Sequence, residues 1–388
     1  MTAKVRLDYP ARLARLQARM REEGIGVYVA TRQASLSWLL GAFAPWRTAV
    51  VVPADGTPRA VFWRSDASRL RSETWLRDVR EWGGERRFVD VVAEAVREIG
   101  GERERIGVDL GSPVSPQVAP GLLLASEYLE LMRQLPDAHW VNAVPMIEDV
   151  LAVKEDEEIE LLRRAAQIAD IGMIAARSAL KPGVTENAVA GEVERAIRLA
   201  GSEWSWSSTQ GTEVGSGYRT AYPGGVTQPA TEKKIEAGEM VIVDLHPMFQ
   251  LYLSDLAGNF YMGESPPPRV RALADCWERT VETLLNVLRP GLVIQEAVDL
   301  GFSVMREHGF ETWGLRAFGH GLGTCARTPP YMVDGNRAEL REKMVLALGT
   351  HIYEPGVGGM RLEYPVLITA SGCEPLCRWP AKLHCVKC

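Results

Sequence analysis

Four carboxylates sit in stretches that otherwise read as apolar β-strand: Asp244 and Asp255 in "VIVDLHPMFQLYLSD", Glu354 in "IYEPG" and Glu363 in "MRLEYPVLIT". A strand that buries its faces carries charge only with compensation, because an unpaired buried ion costs several kcal/mol. Salt bridges, solvated strand edges and a bound cation are the available compensations, and for one carboxylate either of the first two would serve. Four carboxylates on two similar hairpins, with His320 in "FGHGLG" between them in sequence, are most economically explained by metal. Five ligands, mostly oxygen with one imidazole, suit two divalent cations of the manganese, cobalt, iron or zinc kind. Such a pair lowers the pKa of a bridging water and polarises a carbonyl, which is hydrolytic chemistry. The glycines flanking His320 allow the backbone a close approach to such a centre.

These residues need a frame, and the second half of the chain supplies one that looks duplicated. "LKPGVTENAVAGEVERAIRLAG" (Leu180 to Gly201) returns in altered form as "LRPGLVIQEAVDLGFSVMREHG" (Leu288 to Gly309), each a helix end, a basic-Pro-Gly break and a second helix closed by glycine. A pair of β-rich runs follows each copy, so two helix-covered hairpin units with a ligand where they meet are expected. Ahead of them, "KEDEEIELLRRAAQIADIGMIAARSAL" reads as a long helix with an acidic first turn, which places a domain boundary near Val150. Residues 1–150 alternate helix-like and strand-like runs. "PARLARLQARMREEG" has Leu13, Leu16 and Met20 at helical spacing, and "TAVVVPADGTPRAVFW" reads as two strands folded at Asp55-Gly56. That part holds no cluster of metal ligands and is expected to shape or cover a site. The fold class expected is α+β, an α/β domain over 1–150 followed by a duplicated catalytic domain over 151–388.

Composition narrows the partners. A chain of 388 residues, 46 % hydrophobic with a formal charge of −6, can bury large cores, and its lack of basic clusters argues against nucleic acid as the main partner. The sequence offers no apolar run long enough for a membrane span and no secretion signal in "MTAKVRLDYPARL", so a cytoplasmic protein acting on small molecules or peptides is expected. Four of its six cysteines crowd into "CEPLCRWPAKLHCVKC" beside His384, where a structural zinc is conceivable and a thiol-bearing tail is the plainer reading.

The hairpins and the Gly-His-Gly resemble those of the pita-bread metallohydrolases, a family that includes prolidase, aminopeptidase P, methionine aminopeptidase and the metal-free creatinases. In the order of that family's ligands stand Asp244, Asp255, His320, Glu354 in "YEPG" and Glu363 in "MRLE". The resemblance implies a metal-dependent amide hydrolase with two divalent metals. Glu354 would be ligand and proton shuttle, Asp244 and Glu363 the bridging carboxylates, Asp255 and His320 ligands of one metal each. "RLARLQARMREEGIGVYVA" is similar to the start of the two-domain prolidase and creatinase branch, whose members are commonly homodimers. An Xaa-Pro dipeptidase or aminopeptidase is the leading expectation, with hydrolysis of a small non-peptide C–N bond, as in creatinase or ectoine hydrolase, as the alternative. A non-catalytic binding protein on the same fold is a third reading, which the full ligand set opposes.

The surroundings depart from the family. Its substrate-contacting histidine ahead of the first aspartate falls on Gly224 or Thr227, and another after the Gly-His-Gly falls on Arg327. "AGN" at Ala257 to Asn259 and Tyr364 replace further family residues, and Glu354 and Glu363 are only nine apart where the family spacing is about fourteen. A shortened loop and a more open pocket are therefore expected. Candidate replacements are His246, on the face of Asp244 if the strand is regular, and Arg327 as partner for a substrate carboxylate. Tyr218, Arg219 and Arg361 are candidates to line the substrate pocket. His351 falls on the face opposite Glu354 and reads as structural.

Overall fold

A computed structural model describes residues 5–111, 120–203, 211–222, 228–325 and 327–388. The positions expected to replace the family histidine, Gly224 and Thr227, lie outside them. Two compact units divide the chain, one over Lys4–Leu151 and one over Ala152–Cys388.

The first unit is built on strands β1 (Val27–Ala30), β2 (Ala49–Pro53), β3 (Arg59–Trp63), β4 (Val79–Trp82), β5 (Arg105–Val108) and β6 (His139–Asn142), in the sheet order β4-β3-β2-β1-β5-β6. The β2–β3 hairpin turns at Asp55-Gly56, where Gly56 takes φ +105°, a region glycine enters at little cost. Helix Tyr9–Glu22 starts where the Asp8 side chain accepts from Ala11 N, and it buries Leu16 and Met20. Alternate sheet residues Val27, Val29, Val51, Val61, Ile106 and Val108 form one core with helix Phe88–Glu98.

The second unit has the expected duplication. Helix Asp156–Ala179 packs on Glu186–Leu199, and helix Pro268–Val287 on Ile294–Glu307. In the first of these, Glu158 closes the N-terminus by accepting from Glu155 N, and a stripe from Ile159 through Met173 to Ala176 is buried. One sheet has β7 (Glu213–Ser216), β8 (Met240–Leu245), β11 (Leu256–Met262) and β16 (Leu383–Val386) in the order β16-β11-β8-β7. Between β8 and β11 a small ribbon, β9 (Met248–Phe249) and β10 (Tyr252–Leu253), runs out and back. The other sheet is β12 (Gly319–Gly321), β13 (Val345–Glu354), β14 (Gly358–Ile368) and β15 (Cys373–Pro375) in sequence order. Asn259 of β11 joins the two sheets: its Nδ2 donates to Arg361 O at 2.8 Å and its Oδ1 accepts from Arg361 N at 2.9 Å.

Among the described residues no helix is long and apolar enough to cross a membrane. The C-terminal cysteines form no metal-binding group among the described residues. Cys373 lies on β15 and Cys385 on β16, in different sheets, and burial pushes the Cys377 thiol up, away from the thiolate a zinc would need.

Candidate metal centre

The ribbon of β9 and β10 explains how two aspartates eleven residues apart come together. It returns the chain so that β11 pairs antiparallel with β8, Leu245 opposite Leu256 and Asp244 opposite Ala257, which leaves Asp255 at the mouth of the hairpin beside Asp244. His246, just beyond the end of β8, places Nε2 at 3.2 Å from Asp255 Oδ1 and 3.7 Å from Asp244 Oδ1. From the second sheet, His320 Nε2 reaches to 3.6 Å from Asp255 Oδ2 and 3.7 Å from Glu363 Oε2. All five side chains are buried. They form two groups with convergent donor atoms, Asp244–His246–Asp255 and Asp255–His320–Glu363. Asp255 is common to both, a place the resemblance gave to Asp244 and Glu363.

The flanking glycines of His320 are required by packing. A Cβ on Gly319, at φ +122°, would stand 2.0 Å from Ala347 O, and one on Gly321 would stand 2.3 Å from Pro329 O. Strand β12 is thus pressed between β13 and the Thr328–Pro329 backbone, and that fixes the imidazole. Its Nδ1 lies 3.1 Å from Gly321 O and donates to it, so Nε2 carries a lone pair. That lone pair faces two carboxylate oxygens and, like Asp255 Oδ1 and Glu363 Oε2, is buried without a hydrogen-bond partner. Acceptors converging on acceptors need a cation or protons among them, and the donor set present fits a metal.

The electrostatics agree. Burial pulls the His320 imidazole down to about 4, keeping it neutral as a ligand must be. Burial raises Asp244 to about 7 against the pull of Arg361, and raises Glu363 well above the carboxylate range with Asp255 adding to it. For His246, burial acts downward, but Asp255 and Asp244 outweigh it and push the imidazole up to about 9. The upward shifts of Asp244, Glu363 and His246 mark negative charge crowded into a site of low dielectric, and that of His320 marks burial alone outweighing it.

Arg361 is the one buried guanidinium in this crowd, and its place corrects the expectation that it contacts substrate. Its Nη1 donates to Glu213 Oε2 at 2.7 Å, Nη2 lies 2.7 Å from Asp244 Oδ2, and Nε lies 3.7 Å from Glu363 Oε1. It therefore positions carboxylates. Glu213, directly opposite Asp244 on β7, was missed by sequence reasoning. A buried arginine demands acidic partners, but only the strand pairing shows which. Arg219 is likewise held elsewhere, its Nε on Glu186 and its Nη2 donating to Pro229 O. Tyr218 is exposed, with its ring against Tyr222. Arg327 is half-buried, and its charge acts on Asp255, His320, Glu363 and His351.

Glu354 is not in the cluster. It pairs with Gly358 at the turn of the β13–β14 hairpin, and both of its oxygens face Arg269 Nε at 3.0–3.1 Å. The residue opposite Glu363 in this hairpin is Gly349, fourteen positions earlier. The family spacing is thus kept and no loop has been lost, but the position carries no side chain. Since strand faces alternate, Gly349, His351 and Tyr353 share the face of Glu363 and Arg361. His351 does lie opposite Glu354, and that puts it on the metal side. A Cβ on Gly349 would meet His351 Nε2 at 2.9 Å, so this imidazole fills the volume beside the missing side chain. Its Nδ1 lies 3.2 Å from the Tyr353 hydroxyl.

The family model for Metallopeptidase family M24 matches residues 160–370, more than half of the chain and all of this cluster. The chain belongs to that family. A second model, Creatinase/Prolidase N-terminal domain, matches residues 12–152. The Xaa-Pro dipeptidase of Pyrococcus furiosus is 30% identical over 238 residues, covering 61% of this M24 chain and 66%, just under two thirds, of that protein. A probable dipeptidase PepE of Mycobacterium tuberculosis is 28% identical over 97% of this chain and 96% of its own. Among solved structures, the dipeptidase PepE of Mycobacterium ulcerans superposes with a TM-score of 0.83 at 27% identity, covering 99% of this chain and 100% of that one. The Xaa-Pro dipeptidase of Bacillus anthracis, at 0.84 and 24% identity over 97% of this chain and 100% of that one, speaks for the fold. With its buried donor cluster, this M24 member is a metal-dependent hydrolase of amide bonds.

Proposed function

We propose that this chain is a dipeptidase that uses two divalent cations, of the manganese, cobalt, zinc or iron kind, to cleave the bond before proline in Xaa-Pro dipeptides. The observation that carries the metal part is the His320 Nε2 atom, buried without a hydrogen-bond partner and aimed at Asp255 and Glu363. When bound, the cations would activate a water and polarise the scissile carbonyl. Arg361 holds Asp244 and Glu213 in place and lowers the cost of their burial. His351, kept neutral by burial and by Arg361 and Arg327, stands on the metal face as an uncharged imidazole that can orient a bound group, and the proton-shuttle role first given to Glu354 has no replacement in it. Arg327 offers a guanidinium for the carboxylate end of a dipeptide, and Tyr218 an exposed ring for its side chains. A cytoplasmic homodimer is the working state, on the resemblance to the two-domain prolidases.

A small non-peptide amide is the second reading, favoured by Arg327 and Gly349 standing where peptide-cleaving relatives carry functional side chains. Turnover of Xaa-Pro dipeptides, longer peptides, creatine and ectoine by the metal-loaded protein decides the matter. Hydrolysis confined to Xaa-Pro dipeptides is expected, and failure on every proline-containing peptide overturns the proposal.

A further inference from the structure

The donor set at the cluster differs at two places from the one the family pattern leads one to expect. Gly349, directly across from Glu363, contributes no ligand. His246 contributes one more than expected, from a buried position two residues after Asp244.

The geometry around His246 is that of a coordination edge. In a centre with metal–ligand bonds of about 2.0–2.2 Å, adjacent donor atoms lie about 3.0–3.5 Å apart. His246 Nε2 lies 3.2 Å from Asp255 Oδ1 and 3.7 Å from Asp244 Oδ1, and His320 Nε2 lies 3.6 Å from Asp255 Oδ2 and 3.7 Å from Glu363 Oε2. The His246–Asp255 contact at 3.2 Å falls within that range and also within hydrogen-bond reach, and the other three, at 3.6–3.7 Å, lie slightly beyond both. Asp255 offers one oxygen to each imidazole, as a carboxylate shared by two cations does.

We infer that the second cation of this centre binds at Asp244, His246 and Asp255, with the His246 imidazole as a donor that the family pattern does not supply. The dinuclear centre then carries two imidazoles and three carboxylates. An additional nitrogen donor moves its preference from manganese toward zinc, cobalt or iron. The inference rests on the metal-hydrolase reading above, but its test reads metal binding and not turnover.

Metal-stripped full-length protein is titrated with cobalt(II), following bound equivalents after gel filtration, the visible ligand-field absorption, and the imidazole count from X-ray absorption. Wild type should take up two equivalents and show two imidazoles per pair of ions. His246→Ala should keep the first equivalent and bind the second at least about 10–100-fold more weakly. His246→Asp, which restores an oxygen donor, should recover two equivalents with manganese favoured over cobalt relative to wild type. Two equivalents bound by His246→Ala with unchanged affinity and spectrum would overturn the inference and leave His246 as a protonated partner of Asp255. Should His246→Ala fail to fold, the wild-type imidazole count decides, one per pair of ions being the adverse result. A wild type that binds no cobalt sinks the metal-hydrolase reading as well, which separates the two failures.

Discussion

Glu354 and Glu363 allow a direct contrast, because the sequence pattern treats both as ligands and the hairpin register admits only one. Glu354 is held by Arg269, whose side chain is 48% exposed, at 3.0 Å. An ion pair with so exposed a partner is worth about 0–1 kcal/mol. Arg269 also lies 4.2 Å from the Phe310 ring centroid, a contact that survives loss of the carboxylate. Glu354→Gln should therefore cost less than about 1 kcal/mol in urea unfolding, retain its metal and turn over substrate at close to the wild-type rate. Glu363→Gln keeps the shape but removes the charge from a fully buried donor 3.7 Å from His320 Nε2. Supporting groups around a metal typically contribute 10–100-fold in affinity, so removal of a direct ligand should lower it by at least about that factor, with activity falling in parallel. Metal content after dialysis against a graded chelator, with steady-state kinetics on the same samples, measures both. If Glu354→Gln lost metal and activity to the extent of Glu363→Gln, the assignment of faces from the β13–β14 register would be wrong.

Removing the guanidinium in Arg361→Leu leaves Asp244 and Glu213 buried without their partner and should destabilise the metal-stripped protein by about 3–5 kcal/mol; a loss under 1 kcal/mol in urea unfolding would contradict its positioning role. His320 has its folded pKa depressed from 6.5 to about 4, so its neutral form contributes stability above 6.5 that is lost as pH falls toward 4. The stability of metal-stripped wild type relative to His320→Gln should accordingly drop by about 3 kcal/mol across that window, and a pH-independent difference refutes the burial argument. Gly319→Ala forces a Cβ to within 2.0 Å of Ala347 O at positive φ, for which at least about 2 kcal/mol and a lowered Tm are expected. Arg327→Met should raise KM for dipeptides by about 10–100-fold, the value of a charge-assisted bond, while C-terminally amidated substrates change little; equal effects on both would remove Arg327 from carboxylate recognition.

Local and periodic features were legible in the sequence. The repeated basic-Pro-Gly breaks mark the two helix pairs, and Asp244, Asp255, His320 and Glu363 stand out because charge in apolar strand is costly enough to need a cause. Pairing across the sheets was not legible. "YEPG" matches a motif by letters, yet the antiparallel register puts Gly349 opposite Glu363 and turns Glu354 to the other face. The fourteen-residue spacing back from Glu363 was the available signal, and it points at a glycine, which a search for acidic residues passes over. Glu213, and the role of Asn259, were invisible for a related reason. Each acts through Arg361, more than a hundred residues away, and only the folded sheets bring them to it. Arg361 itself illustrates the ambiguity of a lone arginine, whose substrate-binding and positioning roles differ only in what its fork already holds.

Charge balance connects these placements to the chemistry. Asp244, Asp255, Glu363 and Glu213 are all buried, and Arg361 is the buried cation that touches three of them. With His246 left neutral, as a ligand must be, three of these four charges remain once Arg361 is counted among the described residues, since burial holds His320 and His351 neutral. Protonation can relieve part of this, as the raised positions of Asp244 and Glu363 and the imidazolium tendency of His246 indicate. It does so by occupying the atoms that would bind a cation, and it leaves the His320 lone pair facing Asp255 and Glu363 without a hydrogen-bond partner. Divalent ions satisfy donors and charge together. Two of them, as proposed above, would slightly overcompensate the three charges, and an anionic substrate end at Arg327 would sit against that surplus. The loss of a carboxylate at Gly349 and the arrival of a neutral imidazole at His246 move the balance in the same direction, toward a centre more positive than five carboxylate-rich ligands would leave. Such a centre favours the binding of a carboxylate-bearing substrate and the polarisation of its carbonyl.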